Sequence, residues 1–165
     1  MVDEVRERLR RVLEVEGYID EDGAWAYFEG AREVVRELEA LIASRPREVV
    51  RLAEYAVELL EAADVDDDGG LVDDVLERVQ VVHFDACAAG EPDPVELAES
   101  LVALALASEN GVFLTVLPDY GQILGRAGLD RYRELLDQAA GQPQSAQRRF
   151  AIDRMVELAA ATSVY

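Results

Sequence analysis

Residues 64–94 read DVDDDGGLVDDVLERVQVVHFDACAAGEPDP, and their pattern decides the fold class. The acidic run ends in Gly69-Gly70, a turn signal. Beyond it Val72, Val75, Leu76, Val79, His83 and Ala86 recur three or four residues apart, the period of a helix with one apolar face. Asp93-Pro94-Val95-Glu96 then opens another helix in the capping-box manner. The Asp side chain can accept from free first-turn N–H groups, Pro lacks the N–H that would go unused there, and Glu stands at the third position. Two helices meeting across a short turn, with no two-residue alternation between them, predict an all-α chain.

The same period extends upstream. Val49, Leu52, Ala56, Leu59 and Leu60 mark a helix that starts at Pro46 and runs to about Ala63. Before it, Trp25, Phe28, Ala31, Val35, Leu38 and Ile42 form the inward face of a helix that an Asp of the 20–23 turn can cap. Four aromatics fall between Tyr18 and Phe28, and at this spacing they are expected to pack between helices. Val2, Val5, Leu9, Val12 and Leu13 mark an opening helix that stops at Gly17.

Downstream, residues 97–107 are apolar nearly all round, as a central buried helix would be, and Asn110-Gly111 ends it. Pro118 should divide residues 112–124, leaving a second short helix, and residues 125–128 read as a hinge. Leu129, Tyr132, Leu135 and Leu136 mark the next helix. Phe150, Ile152, Met155, Val156 and Ala159 mark the last, after a loop at 141–145. Leu52-Ala53-Glu54 with Val57 and Leu59 recurs 45 positions on as Leu97-Ala98-Glu99 with Val102 and Leu104, within the length of a HEAT-type helical pair. The expectation is one domain over residues 1–165: about eight helices in antiparallel pairs, stacked as a short HEAT/TPR-like superhelix. A single irregular bundle is the alternative.

Charge narrows the partners. Sixteen basic residues, all Arg, against thirty-five acidic ones give −19, which repels phosphate backbones and acidic membrane surfaces and favours, if anything, a basic protein partner. Arg45, Arg47 and Arg51 are too few to reverse this and read as surface charges. No apolar run follows the charged N-terminus, and the longest, residues 101–107, falls far short of the roughly 20 residues of a membrane helix. With a single Cys and therefore no internal disulfide, a cytoplasmic protein is expected.

Two places could carry chemistry. Asp64, Asp66 and Asp68 before Gly69 reproduce the DxDxDG opening of a calcium loop, where alternate carboxylates converge on one hard cation. The twelfth position, however, is Val75 rather than the bidentate Glu, and Asp68 could simply cap the following helix. His83 and Cys87, the only residues of their kinds, lie four apart on an apolar face. Structural zinc needs four ligands and a Cys–His nucleophile needs an orienting group, so a buried thiol beside a hydrogen-bonded core His is expected. No catalytic residue and no cofactor emerges. The leading expectation is a non-enzymatic protein–protein interaction scaffold, with weak calcium binding through the acidic turn as the alternative.

The order of segments between Tyr18 and Phe150 resembles the helical region of bacterial SWIM zinc finger proteins and related stand-alone proteins of unknown function. The matching pieces are Tyr18-Ile19-Asp20, Leu52-Ala53-Glu54, the acidic Asp-Gly turn, His83-Phe84-Asp85-Ala86-Cys87, Pro92-Asp93-Pro94, Leu97-Ala98-Glu99, Asp119-Tyr120 and residues 129–135. The SWIM finger itself, a Cys-x-Cys followed by Cys-x-His, is absent, so the family's zinc and any nucleic-acid role tied to it do not carry over. The resemblance implies an α-helical, repeat-like scaffold that is a fragment or a relative of a larger protein.

Overall fold

The computed structural model describes residues 2–163. Among them are seven helices and a pair of two-residue strands, so the chain is all-helical as its periodicity predicts. It packs as two compact units, Met1–Gly90 and Glu91–Tyr165.

The first unit is two helix–turn–helix halves. α1 (Val2–Leu13), β1 (Tyr18–Ile19) and α2 (Glu21–Leu41) make one; α3 (Pro46–Ala62), β2 (Asp64–Val65) and α4 (Leu71–Gly90) make the other. The strands run parallel, with Tyr18 opposite Asp64 and Ile19 opposite Val65, and the Asp66 N–H donates to the Ile19 carbonyl at 2.8 Å. Pairing thus sets the two turns side by side. The halves also bury equivalent positions: Tyr27, Phe28, Ala31, Val34, Val35 and Leu38 of α2 recur 48 positions on as Val75, Leu76, Val79, Val82, His83 and Ala86 of α4. α4 packs against both α3 and α2, so each such side chain leaves water, contributing roughly 1.5–3 kcal/mol where it is a large aliphatic or Phe.

Local chemistry fixes the helix starts. The Asp20 carboxylate accepts from the Gly23 N–H at 3.1 Å and caps α2. Gly23 must be small, because a Cβ there would lie 2.8 Å from the Ile19 side chain. α4 is capped by Asp67, not by Asp68: its two oxygens accept from Leu71 N–H at 2.6 Å and Val72 N–H at 3.1 Å. The Gly69-Gly70 turn is long enough that the carboxylate four residues before Leu71, rather than three, reaches the free amides.

The second unit holds α5 (Pro94–Ala107), α6 (Leu117–Ala140) and α7 (Ala146–Ala161), with α5 against α6 and α7 and α6 against α7. Asp93 caps α5, accepting from Val95 and Glu96 N–H at 3.0 Å each, as its sequence predicts. The eight expected helices become seven in α6. The expected hinge at 125–128 shrinks to Gly125 alone, whose φ of 59° and ψ of −169° lie in a region essentially reserved for Gly. The helix resumes at once, so one kinked helix stands where two were expected.

Tyr18, expected to pack between helices, is 58% exposed, and three expected core residues of the helices also lie outside. Trp25 is 68% exposed, Phe150 68% and Val156 41%. The buried stripe of α2 runs through Ala24, Tyr27, Phe28 and Ala31, one residue off Trp25; that of α7 runs through Ile152, Met155 and Ala159. Each outlier fits a helical period but sits where no neighbouring element covers it.

Candidate functional site

Two regions of the first unit gather the chain's chemistry, one buried and one exposed.

In the buried region α4 projects His83 and Cys87 toward α3, and both are fully buried, as expected. His83 Nε2 lies 3.1 Å from Oε1 of Glu54, a partly buried carboxylate of α3. The Cys87 sulfur is 3.8 Å from His83 Nδ1 and 3.9 Å from Nε2. Near-equal distances to both ring nitrogens place the sulfur off the lone-pair direction of either, so the thiol is not aligned for proton transfer to the ring. Burial, and next the negative charge of Glu54, push the Cys87 thiol up to about 12. It is a protonated core thiol at neutral pH. Glu54 was missed as a partner. Its signal was its position, since buried Val50, Ala53 and Val57 stand four and one before it and three after it.

The exposed region is the pair of turns. Of the candidate metal ligands, Asp64 lies in β2 opposite Tyr18, the Asp66 N–H donates to the Ile19 carbonyl, and Asp68 is exposed in the turn. Val75, in the closing position, is buried. Among the described residues, no group of three or more His, Cys, Asp or Glu is arranged to hold a metal ion. The Tyr18 phenol is raised above its usual range, first by desolvation, then by its bond to Asp66 and the charges of Asp66, Asp64 and Asp20.

Around this point stand Tyr18, 58% exposed, and Trp25 in the second turn of α2. Glu21 and Asp22, four and three residues before Trp25, share its helical face. In the second unit, a groove of about 470 Å³ lies between the segment 105–114 and the start of α7, with Arg148 and the exposed Phe150 on its wall. Among the described residues, no helix is long and apolar enough to cross a membrane. Searches of protein-family models, of curated proteins and of solved structures return no match to this chain.

Proposed function

We propose that the protein is a non-enzymatic interaction scaffold acting in the cytoplasm. The observation that carries this reading is the exposure of two large aromatics, Tyr18 of β1 and Trp25 of α2. Large aromatics in water are costly to leave uncovered, and Tyr and Trp are the residues that most often anchor protein interfaces. The buried, protonated Cys87 and the engaged His83 argue in the same direction, since neither is offered to a substrate. Two helix–turn–helix halves, joined at equivalent turns by parallel strands, support a repeat architecture of the HEAT/TPR kind. The proposal includes kinship to the helical region of SWIM zinc finger proteins, on the order of segments given above.

Weak calcium binding through Asp64, Asp66 and Asp68 is the competing proposal. Against it stands the buried Val75 where a bidentate ligand is needed. Cross-linking in the native cell separates the readings. A protein captured by the wild type and lost with the Tyr18→Ser/Trp25→Ala variant supports the scaffold, and undiminished capture by that variant sinks it.

A further inference from the structure

We infer that α7 is a releasable helix: it detaches from α5 and α6 and unwinds while that pair stays folded, and Arg133 of α6 is the latch that holds it. The inference stands apart from the scaffold reading, since it uses neither Tyr18 nor Trp25.

Burial gives the first reason. Within the second unit, α5 buries six of its fourteen residues and α6 nine of its twenty-four. α7 buries three of sixteen: Ile152, Met155 and Ala159. Open space flanks it at both ends. The groove of about 470 Å³ lies along its start, and a hollow of about 390 Å³ near its end is lined by Leu129, Arg133 and Thr162. A short helix alone in water is marginal even when rich in Ala, so few buried side chains leave little to hold α7 in helical form.

Charge gives the second. α1 also buries little, only Leu9 and Leu13, but Asp3 and Glu4 stand at its start and Arg10 and Arg11 at its end, the order its dipole favours. α7 reverses this. Its first turn has no acid, Arg148 and Arg149 stand there instead, and its last turn has no basic residue. Its stability therefore comes from what it is docked to.

One side chain supplies the missing cation. Arg133 Nη2 donates to the Ala159 carbonyl at 2.9 Å and the Thr162 carbonyl at 2.8 Å. These carbonyls close the end of α7, where no further turn can satisfy them, and the guanidinium sits at its negative pole. The fit there is tight, since a Cβ on Gly121 of α6 would lie 3.1 Å from Thr162 Cγ2. Arg133 Nη1 lies 3.8 Å from Asp130 of its own helix, so the guanidinium stays on α6 whether or not α7 is docked. At the start of α7, the Ser145 cap is local, accepting from the Arg148 N–H at 3.2 Å. Losing the Arg133 bonds thus strips α7 of its end contacts and costs the α5–α6 pair little. Release would expose Leu129, which is buried beside the hollow, so the docked helix also masks a surface.

Hydrogen exchange read by mass spectrometry across a urea series tests both parts. In the wild type, residues 150–160 should exchange through a local opening that barely responds to urea. Residues 97–105 should exchange only through a larger unfolding that responds steeply. Arg133→Gln should speed exchange over 150–160 at least about tenfold, as expected for one lost charge-assisted bond, and leave 97–105 within about twofold. Arg133→Lys, which keeps a cation but not the fork, should fall between. Arg131→Gln removes an arginine that joins α6 to Glu99 of α5 and should leave α7 unchanged. One urea slope shared by α5 and α7 in the wild type would overturn the release. Equal acceleration of both by Arg133→Gln, or none, would overturn the latch. Should Arg133→Gln fail to fold, the wild-type slopes decide the release and Arg133→Lys decides the latch.

Discussion

His83 and Cys87 are the residues a chemist would pick first as a site, and the fold encloses them completely between α4 and α3. Tyr18 and Trp25 are residues a chemist would assign to a core, and the fold leaves them in water. Both sets lie in the first unit. The difference between them is coverage. His83 occupies the place on α4 that Val35 occupies on α2, a position where neighbouring helices close over the side chain. Trp25 sits in the second turn of α2, one position off the buried stripe. Residue type announces what a side chain could do, and place in the packing decides whether it meets a partner.

Neighbouring aromatics sharpen that contrast most. Phe28→Ala empties a fully buried site and should cost about 3–5 kcal/mol in urea unfolding. Trp25→Ala, three residues earlier, should stay within about 0.5 kcal/mol. Comparable losses would mean that Trp25 is packed after all.

Alkaline titration tests the buried side broadly. Burial holds both the Cys87 thiol and the Tyr27 phenol up to about 12, above the ordinary values near 9 and 10. In the unfolded chain these groups lose protons first, so stability is complete below about pH 9 and declines as pH rises toward 12. A flat melting temperature across that interval would contradict the burial of both.

Cys87→Ser exchanges a thiol for a hydroxyl in an enclosed place and should cost about 1–3 kcal/mol. In the native wild type the thiol should react slowly with a maleimide, and quickly once urea is added. Rapid native labelling would show instead an open, nucleophilic site.

Two buried tyrosines offer a finer measure. The Tyr27 hydroxyl donates to the Leu13 carbonyl at 2.8 Å, whereas the Tyr132 hydroxyl in the second unit has no partner among the described residues. Tyr27→Phe should lose about 1 kcal/mol and leave that carbonyl unmatched; Tyr132→Phe should be neutral or gain by a similar amount. The reverse order would mean that Tyr132 has a partner in solution. The smallest effect concerns the turns: millimolar calcium should leave the melting temperature unchanged. A saturable rise of several degrees, abolished by Asp66→Ala, would favour the cation reading.

What was legible in the sequence was local. Asp93-Pro94-Glu96 and Asp20 could be read because a cap reaches only two or three residues along its own chain. The stripes of α3 and α4 could be read because two turns of helix reveal a period. Trp25, Phe150 and Val156 misled because each fits a stripe, and only the neighbouring elements determine how far round the helix that stripe is covered. Glu54 stayed hidden because its partner lies 29 residues away on another helix. The alternation of Asp64, Asp66 and Asp68 suggested a loop folded around an ion. The backbone of that loop is also drawn toward Tyr18 and Ile19, a pairing that no short-range pattern encodes.

That pairing also bears on how the molecule assembles. Helix neighbours such as α3 and α4 find each other across a short turn, so their contacts form early and cheaply in chain entropy. The Ile19 carbonyl and the Asp66 amide are 47 residues apart, and their bond can close only when both halves are already in place. The Asp66 amide is therefore a natural clock for the first unit: its protection from hydrogen exchange marks the moment when two helical hairpins become one body.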